Sequence, residues 1–524
     1  MAKVAFTAPH FKAAEVGMEI LKEGGSAVDA MIAAAATIAV VYPHMNSLGG
    51  DGFWLIQKPG EKPVGIDACG YAGSKATLDF YSQTGIPNRG GGAAITLAGT
   101  IAGWQLARQW QGKKASLPLR RLLEPAQHLA NDGITVTESL QSASQKTFGD
   151  LKTIEGFAGI YLDNGQPLTA GKTLANKPLA NLIEHLYCSD IELDDFYRGD
   201  ISRVLSDGLA ANNSPITRED LSEYNAQLVT PLTTKTSKGQ LFNMVAPTQG
   251  LASLIILALY DRVYQSSWSE AERVHHLVEC TKQAFILRDQ AIADPARMQK
   301  SAQDYLTEDK LTSMASAVSG NRAAPWPKPA EPGDTVWMGA LDKDGTLVSF
   351  IQSVYWEFGS GLVLPGTGLV WNNRGISFNL DANHHNHLAP GLKPLHTLNP
   401  ALALLDDGRR FSYGTMGGEG QPQTQAALFT RHIYEKIPLP DAIAQDRWLL
   451  GRTWGESSNN LKLEHDLFDR IGNTLQKLGH ETVSVTSGSE MMGHAGGIIL
   501  SPNNDLQVAT DPRSDGAALF SNIK

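Results

Sequence analysis

Cysteine is scarce in this chain. Three of 524 residues are cysteine, at 69, 188 and 280. The number is odd and no CxxC occurs, so neither a disulfide framework nor a cysteine-rich zinc site is expected, only buried reduced thiols. Long hydrophobic runs are also absent. The most apolar stretch, "AMIAAAATIAVVY" (30–42), is too short to span a bilayer and reads as a buried helix. The N-terminus has no signal-peptide apolar core, so the expectation is a cytoplasmic protein with no membrane partner. Runs of basic residues are missing too. Lys+Arg 44 against Asp+Glu 54 gives a net charge of −10, which argues against nucleic acid as a partner.

The familiar catalytic signatures are absent as well. There is no P-loop, no HExxH and no GxSxG. "LGGDG" (48–52) and "GTMGGEG" (414–420) do not have dinucleotide spacing. "NHHNH" (383–387) matches no metal-site spacing and reads as a solvated loop. No metal and no cofactor are expected.

What is present is a folded composition, 42% hydrophobic and 19% charged. Residues 10–42 predict two helices, the first stopped by Gly24-Gly25, the second capped by Ser26 and ended before Pro43. A helix over roughly 102–112 leads into a mostly helical region reaching about 225. A long amphipathic helix over 269–295 ends at Asp-Pro. Residues 301–333 are polar and Ala/Pro-rich, and read as a mobile surface loop. From Thr335 to about 378 the pattern is strand after strand: "TVWMGALD", "TLVSFIQSV", "TGLVWNN". A strand pair over 398–415 and strands near 482–500 follow. Such a mixture predicts antiparallel sheets covered by helices.

One strand start stands out. After a Pro-Gly break, a strand begins abruptly on Thr335. A hydroxyl there can attack the carbonyl of Asp334, and hydrolysis of the resulting ester cuts the chain. The new N-terminal threonine then carries a nucleophile and, in its α-amine with a reference pKa of about 7.7–8, a base. The plainer reading is a β-branched residue opening a strand.

Six ordered segments resemble the γ-glutamyltransferase family of N-terminal-nucleophile hydrolases. They are "EILKEGGSAVDAMIAAA", "YPHMNSLGGDGFWLI", "TLAGTIAGWQLARQW" with "LLEPAQHLANDGITV", "DTVWMGALDKDGTLVSFIQSVYWEFGSGLVLPGTGLVWNN", "GTMGGEGQPQTQAAL", and "GHAGGI" with "DPRSDGAA". The resemblance implies an α+β fold, a four-layer αββα sandwich. It implies one domain made of a large subunit (1–334) and a small subunit (335–524) cut from one precursor, with a dimer of heterodimers as one assembly open to it. By position, Thr335 matches the self-processing nucleophile, Asp334-Thr335 the cleavage site, and Ser353 the hydroxyl that supports it. Gly417 and Gly418 match the pair whose N–H groups form the oxyanion hole.

The match departs from the family at the head-group site. The family's arginine for the substrate α-carboxylate falls on Leu78, its aspartate for the α-amine on Ser377, and its serine pair on His396-Thr397. A γ-glutamyl group would lack its charged partners. In exchange, Arg374 stands where a carboxylate can be gripped bidentately, with Tyr355, Asn373, His396 and Thr397 as further substrate contacts. Trp337 lies on the same strand face as Thr335, with Trp356 and Trp371 near, and Arg89 is a second anion-binding candidate. For the aromatics the alternative is core packing, and for the arginines surface ion pairing. "NNRG", "HTLNPAL" and "MGGEGQPQTQ" look most like the family branch that hydrolyses oxamate to oxalate and ammonia. The expected substrate is therefore a small anionic amide. A γ-glutamyl transpeptidase, a glutaryl-cephalosporin-type acylase and an unprocessed binding protein are the alternatives.

Overall fold

The strand Asp334–Leu341 shows how the architecture arises. Successive side chains on a strand point to opposite faces. Val336, Met338 and Ala340 enter one apolar cluster, shared with a layer of helices. Trp337 and Leu341 enter another, shared with a second sheet. Both faces are buried, so this strand sits between layers. In the computed structural model, residues 2–112, 116–326, 334–451 and 459–523 are described.

The strand lies in a seven-stranded antiparallel sheet. Its order is Ala517–Ile523, Ala2–Ala8, Asp334–Leu341, Leu347–Tyr355, Asp51–Gln57, Val64–Ala68 and Gln227–Val229. A six-stranded sheet runs Leu506–Thr510, Ala495–Leu500, Arg410–Thr415, Ala401–Leu405, Gly239–Asn243 and Leu232–Thr236. Between them lies a core of Phe53, Leu55, Met244, Trp337, Ile351, Leu402 and Ile498.

Helices cover both outer faces. On the first sheet lie Phe11–Lys22 and Ala27–Val41, with Leu119–Asp132 packed behind the latter. Ala27–Val41 is buried along its whole length, as its alanine-rich sequence predicts. It starts on Ser26, whose hydroxyl accepts the Asp29 N–H at 3.0 Å while the Asp29 carboxylate accepts the Ser26 N–H at 3.3 Å, a capping box. On the second sheet lie Gly250–Val263 and Gln421–Phe429, with Glu270–Ala291 packed behind them and His465–Lys477 beyond it. The result is the four-layer αββα sandwich.

Three local expectations change. Within the presumed loop 301–333, Glu308–Ser316 is a helix. Its Leu311, Met314 and Ala315 recur at helical spacing and pack on the second helical layer. Residues 327–333 lie outside the described residues. "TGLVWNN" forms no strand, only isolated bridges Val363↔Val370 and Gly49↔Trp371, because left-handed Gly366 and Gly368 interrupt any ladder. Cys188 is exposed, whereas Cys69 and Cys280 are buried. Among the described residues no helix is long and apolar enough to cross a membrane.

Candidate active site

The antiparallel order brings one end of every central strand to one end of the sandwich. In the first sheet, Asp51 pairs with Ser353. On the other side of Ser353 the ladder is irregular: Gln352 pairs with Val336 and Tyr355 with Asp334. Ser353 and Val354 therefore oppose the single residue Thr335, a β-bulge. Thr335 shares the face of Trp337, Ser353 that of Ile351, and Asp51 that of Phe53, all in the inter-sheet core. Thr335, Ser353 and Asp51 thus form one polar row at the end of an apolar layer, and Thr335 is only 1% exposed.

The chain is strained as it leaves the bulge. Tyr355 has φ 84° and Phe358 φ 57°, which bulky residues adopt only under tertiary constraint. The Tyr355 N–H donates to Ser353 Oγ at 2.8 Å, which fixes that hydroxyl opposite the threonine.

The second sheet supplies the turn after Arg410–Thr415. Gly417 (φ 116°) and Gly418 (φ 51°) are left-handed, and only glycine adopts this pair cheaply. Thr415 Oγ1–H donates to the Met416 carbonyl at 2.9 Å, and the Gly420 N–H to the Gly417 carbonyl at 2.8 Å. In a trans peptide the N–H points opposite the carbonyl. Both glycine N–H groups are therefore turned away from those contacts, held in fixed directions. Gln421 follows at once; its amide nitrogen lies 3.5 Å from Thr335 Oγ1, and its oxygen accepts the Asn399 N–H at 3.3 Å. Gln421 is fully buried.

Arg374 opens the 3₁₀ turn Arg374–Ser377 and is 2% exposed. Its guanidinium lies 3.4 Å from the Tyr355 ring centroid and donates to Thr397 Oγ1 at 3.1 Å. Its Nε has no hydrogen-bond partner among the described residues. Among the described residues no carboxylate forms an ion pair with it. A buried cation lacking a paired anion is costly unless a ligand supplies one.

Beside it, His396 Nε2 lies 3.0 Å from Asp51 Oδ2, and the Leu398 N–H donates to His396 Nδ1 at 3.3 Å. That contact assigns the ring proton to Nε2, pointing at Asp51. Burial, then the nearby Arg374 charge, holds His396 well below its usual range. Burial pushes Asp51 up to about 7, against the Gly70 N–H and the Arg374 charge. Unfolded, Asp51 ionises near its ordinary 3.8; folded, near about 7. Its contribution to stability is thus present below pH 4 and lost as pH rises from about 4 to 7, by up to about 1.4 kcal/mol per pH unit. Asp51→Asn is expected to gain urea resistance relative to wild type between pH 5 and pH 7. A pH-independent difference would disprove that.

The other expected contacts are placed differently. The Trp337 indole N–H donates to Ser349 Oγ at 2.9 Å. Its ring lies over the backbones of Gly414 and Gly496, where an added Cβ would stand 2.2 and 2.5 Å from it. It is core, on the expected face. Asn373 accepts the Trp356 N–H and donates to the Asn88 carbonyl, so its amide clamps two loops. Arg89 donates to the Glu357 carbonyl at 2.7 Å and faces the Trp356 ring at 5.4 Å, with Nε and one amino group unpartnered. Trp371 is fully buried and its N–H donates to the Thr96 carbonyl. Leu78 packs in a side cluster with Tyr81, Ile95 and Phe378. Ser377 Oγ lies 3.1 Å from the Arg374 and Leu395 carbonyls.

Two buried clusters among the described residues carry metal-type donors: Asp51, Cys69 and His396, and His275, Glu279 and His480. Hydrogen bonds already account for both. His396 directs a proton, not a lone pair, at the first. In the second, the Lys282 ammonium sits 2.7 Å from Glu279 and the two imidazoles bond each other at 2.7 Å. In "NHHNH", Asn386 is buried and donates to the Ser377 carbonyl.

Asp51, Gln421 and Gln249 were not legible as site residues. Asp51 and Gln421 do sit within glycine-rich stretches that enter a strand and a helix, which is the one signal available.

An αββα sandwich with its polar row at one end defines an N-terminal-nucleophile hydrolase fold. The sequence pattern of the family described as gamma-glutamyltranspeptidase matches residues 13–521, and the chain belongs to that family, among the enzymes that hydrolyse amides. It is 50% identical over 516 residues to the oxamate amidohydrolase proenzyme of Klebsiella pneumoniae, covering 98% of this chain and 97% of that one. It is 34% identical to the glutathione hydrolase-like YwrD proenzyme of Bacillus subtilis, covering 99% and 98%. A solved cephalosporin acylase from Bacillus halodurans superposes with TM-score 0.90 at 27% identity, covering 99% and 96%.

Proposed function

We propose that this chain is a self-processing amidohydrolase whose substrate is a small anionic amide, oxamate foremost. Thr335 first attacks the Asp334 carbonyl, the peptide C–N bond breaks, and water hydrolyses the ester. That leaves residues 1–334 and 335–524 as two subunits of one domain. The freed α-amine of Thr335 then takes the hydroxyl proton as Oγ attacks the amide carbon. The Gly417 and Gly418 N–H groups receive the oxyanion, the leaving nitrogen takes the proton and departs as ammonia, and water releases oxalate.

The observation that carries the substrate class is Arg374: buried, stacked on Tyr355 and, among the described residues, without a paired carboxylate. A substrate carboxylate completes it. Leu78 and Ser377 offer no counter-charge to an α-amino acid head group, which disfavours γ-glutamyl substrates. The proenzyme relative at 50% identity supports both the processing and oxamate.

The test compares ammonia release from oxamate with p-nitroaniline release from γ-glutamyl and glutaryl anilides. Oxamate should give the highest kcat/KM; a preference for the γ-glutamyl anilide would overturn the reading. Arg374→Met should raise KM for oxamate about ten- to a hundredfold, the worth of a charge-assisted pair. An unchanged KM removes Arg374 from the site.

A further inference from the structure

The oxyanion turn and the loop that receives Arg374 belong to different segments, yet one side chain ties them together. Gln249 caps the helix Gly250–Val263 and is 1% exposed. Its amide nitrogen donates to the Thr397 carbonyl at 2.7 Å and to the Gly418 carbonyl at 2.8 Å. Its backbone N–H donates to the adjacent His396 carbonyl at 2.9 Å. Its side-chain oxygen accepts from Arg288 at 3.0 Å, and Arg288 also donates to Glu419 at 2.9 Å. Every polar atom of the Gln249 amide is thus used, within a buried network.

We propose that Gln249 is a positioning residue that sets the separation between the oxyanion turn at Gly417-Gly418 and the anion-binding loop at His396-Thr397. The inference rests on the reading of those two loops given above. The geometry gives the reason. A primary amide has two N–H donors, and here each is matched to a carbonyl on a different loop. The two loops are thereby held at the width of one –NH₂ group. Arg288 fixes which end of the amide faces them, because a guanidinium accepts no hydrogen bond and must meet the oxygen. Gln249 and Arg288 lie before residue 334, so after the proposed cleavage the large subunit would pin two loops of the small one.

Two variants test this. Gln249→Met keeps the volume and removes all three bonds. Gln249→Glu keeps the Arg288 contact and sets a carboxylate against two carbonyls. Both should be made as the full chain and scored for processing on a denaturing gel, for Tm, and for kcat and KM per folded site. A positioning role predicts kcat lower by about 10²-fold, the cost of displacing a reacting group by about 1 Å, with KM raised as well because Thr397 and Arg374 move together. A residue that only stabilises the fold would lower Tm and leave both constants unchanged. If Gln249→Met fails to fold, Gln249→Glu decides alone. Either folded variant with kcat and KM within threefold of wild type overturns the proposal. Should wild type ignore oxamate, the proposed substrate falls, and the Gln249 comparison is read on whichever anilide wild type does cleave.

Discussion

Thr335→Ala is expected to purify as one uncleaved chain with no detectable amide hydrolysis. Both effects follow from one atom. In the proposed scheme the hydroxyl is the attacking group in chain cleavage and again in catalysis, and without cleavage the α-amine that would act as base stays locked in the peptide bond to Asp334. Neither described polar neighbour replaces it. Ser353 sits across the bulge with its Oγ accepting the Tyr355 N–H, and the Gln421 amide offers a donor, not a nucleophile. Thr335→Ser is the matching control. It keeps the oxygen and is expected to cleave and turn over, more slowly, because loss of the methyl frees a buried side chain to rotate. A denaturing gel and an ammonia assay read both variants. Two bands from Thr335→Ala would end the self-processing scheme.

Gly417→Ala should lower kcat by about 10²–10³-fold, the cost of one oxyanion donor, while self-cleavage still proceeds. The glycine is required by its backbone and not by crowding. At φ 116° an L side chain is strained, whereas the added Cβ would meet Gly493 no nearer than its Cα at 3.6 Å, an ordinary contact. The chain relieves the strain by rotating the peptide, and the N–H then leaves its direction. KM should change little, because the donor acts on charge that develops after binding. A kcat within threefold of wild type would take Gly417 out of the proposed oxyanion hole.

Much of the fold was legible from local rules. The two N-terminal helices appear where Ser26 and Gly24-Gly25 placed them, and Ala27–Val41 is as buried as its composition demands. The strand expected from Thr335 is present but begins one residue earlier, at Asp334, with Trp337 on the expected face. Local rules misread what depends on neighbours. "TGLVWNN" alternates like a strand but finds no ladder partner beyond two isolated bridges. The polar stretch after residue 300 looked loop-like because one exposed face masked the three apolar residues that anchor Glu308–Ser316.

The site divides in the same way. By itself the sequence determined the composition class, the periodicities, the threonine after the Pro-Gly break, and the positions of Gly417-Gly418 and Arg374, whose site roles the family resemblance implies. These are properties of short windows, in which spacing along the chain is spacing in space. Only the tertiary structure decided that Asp51 and Ser353 join Thr335 in one row across three strands. It also decided that His396 is occupied by Asp51, that the Trp337 ring is part of the inter-sheet core, and that Gln249 bridges two distant loops. Those facts rest on strand register and on hydrogen bonds between residues far apart in the chain. A register shift of one residue would turn the whole row to the other face of the sheet, and no local window carries that information.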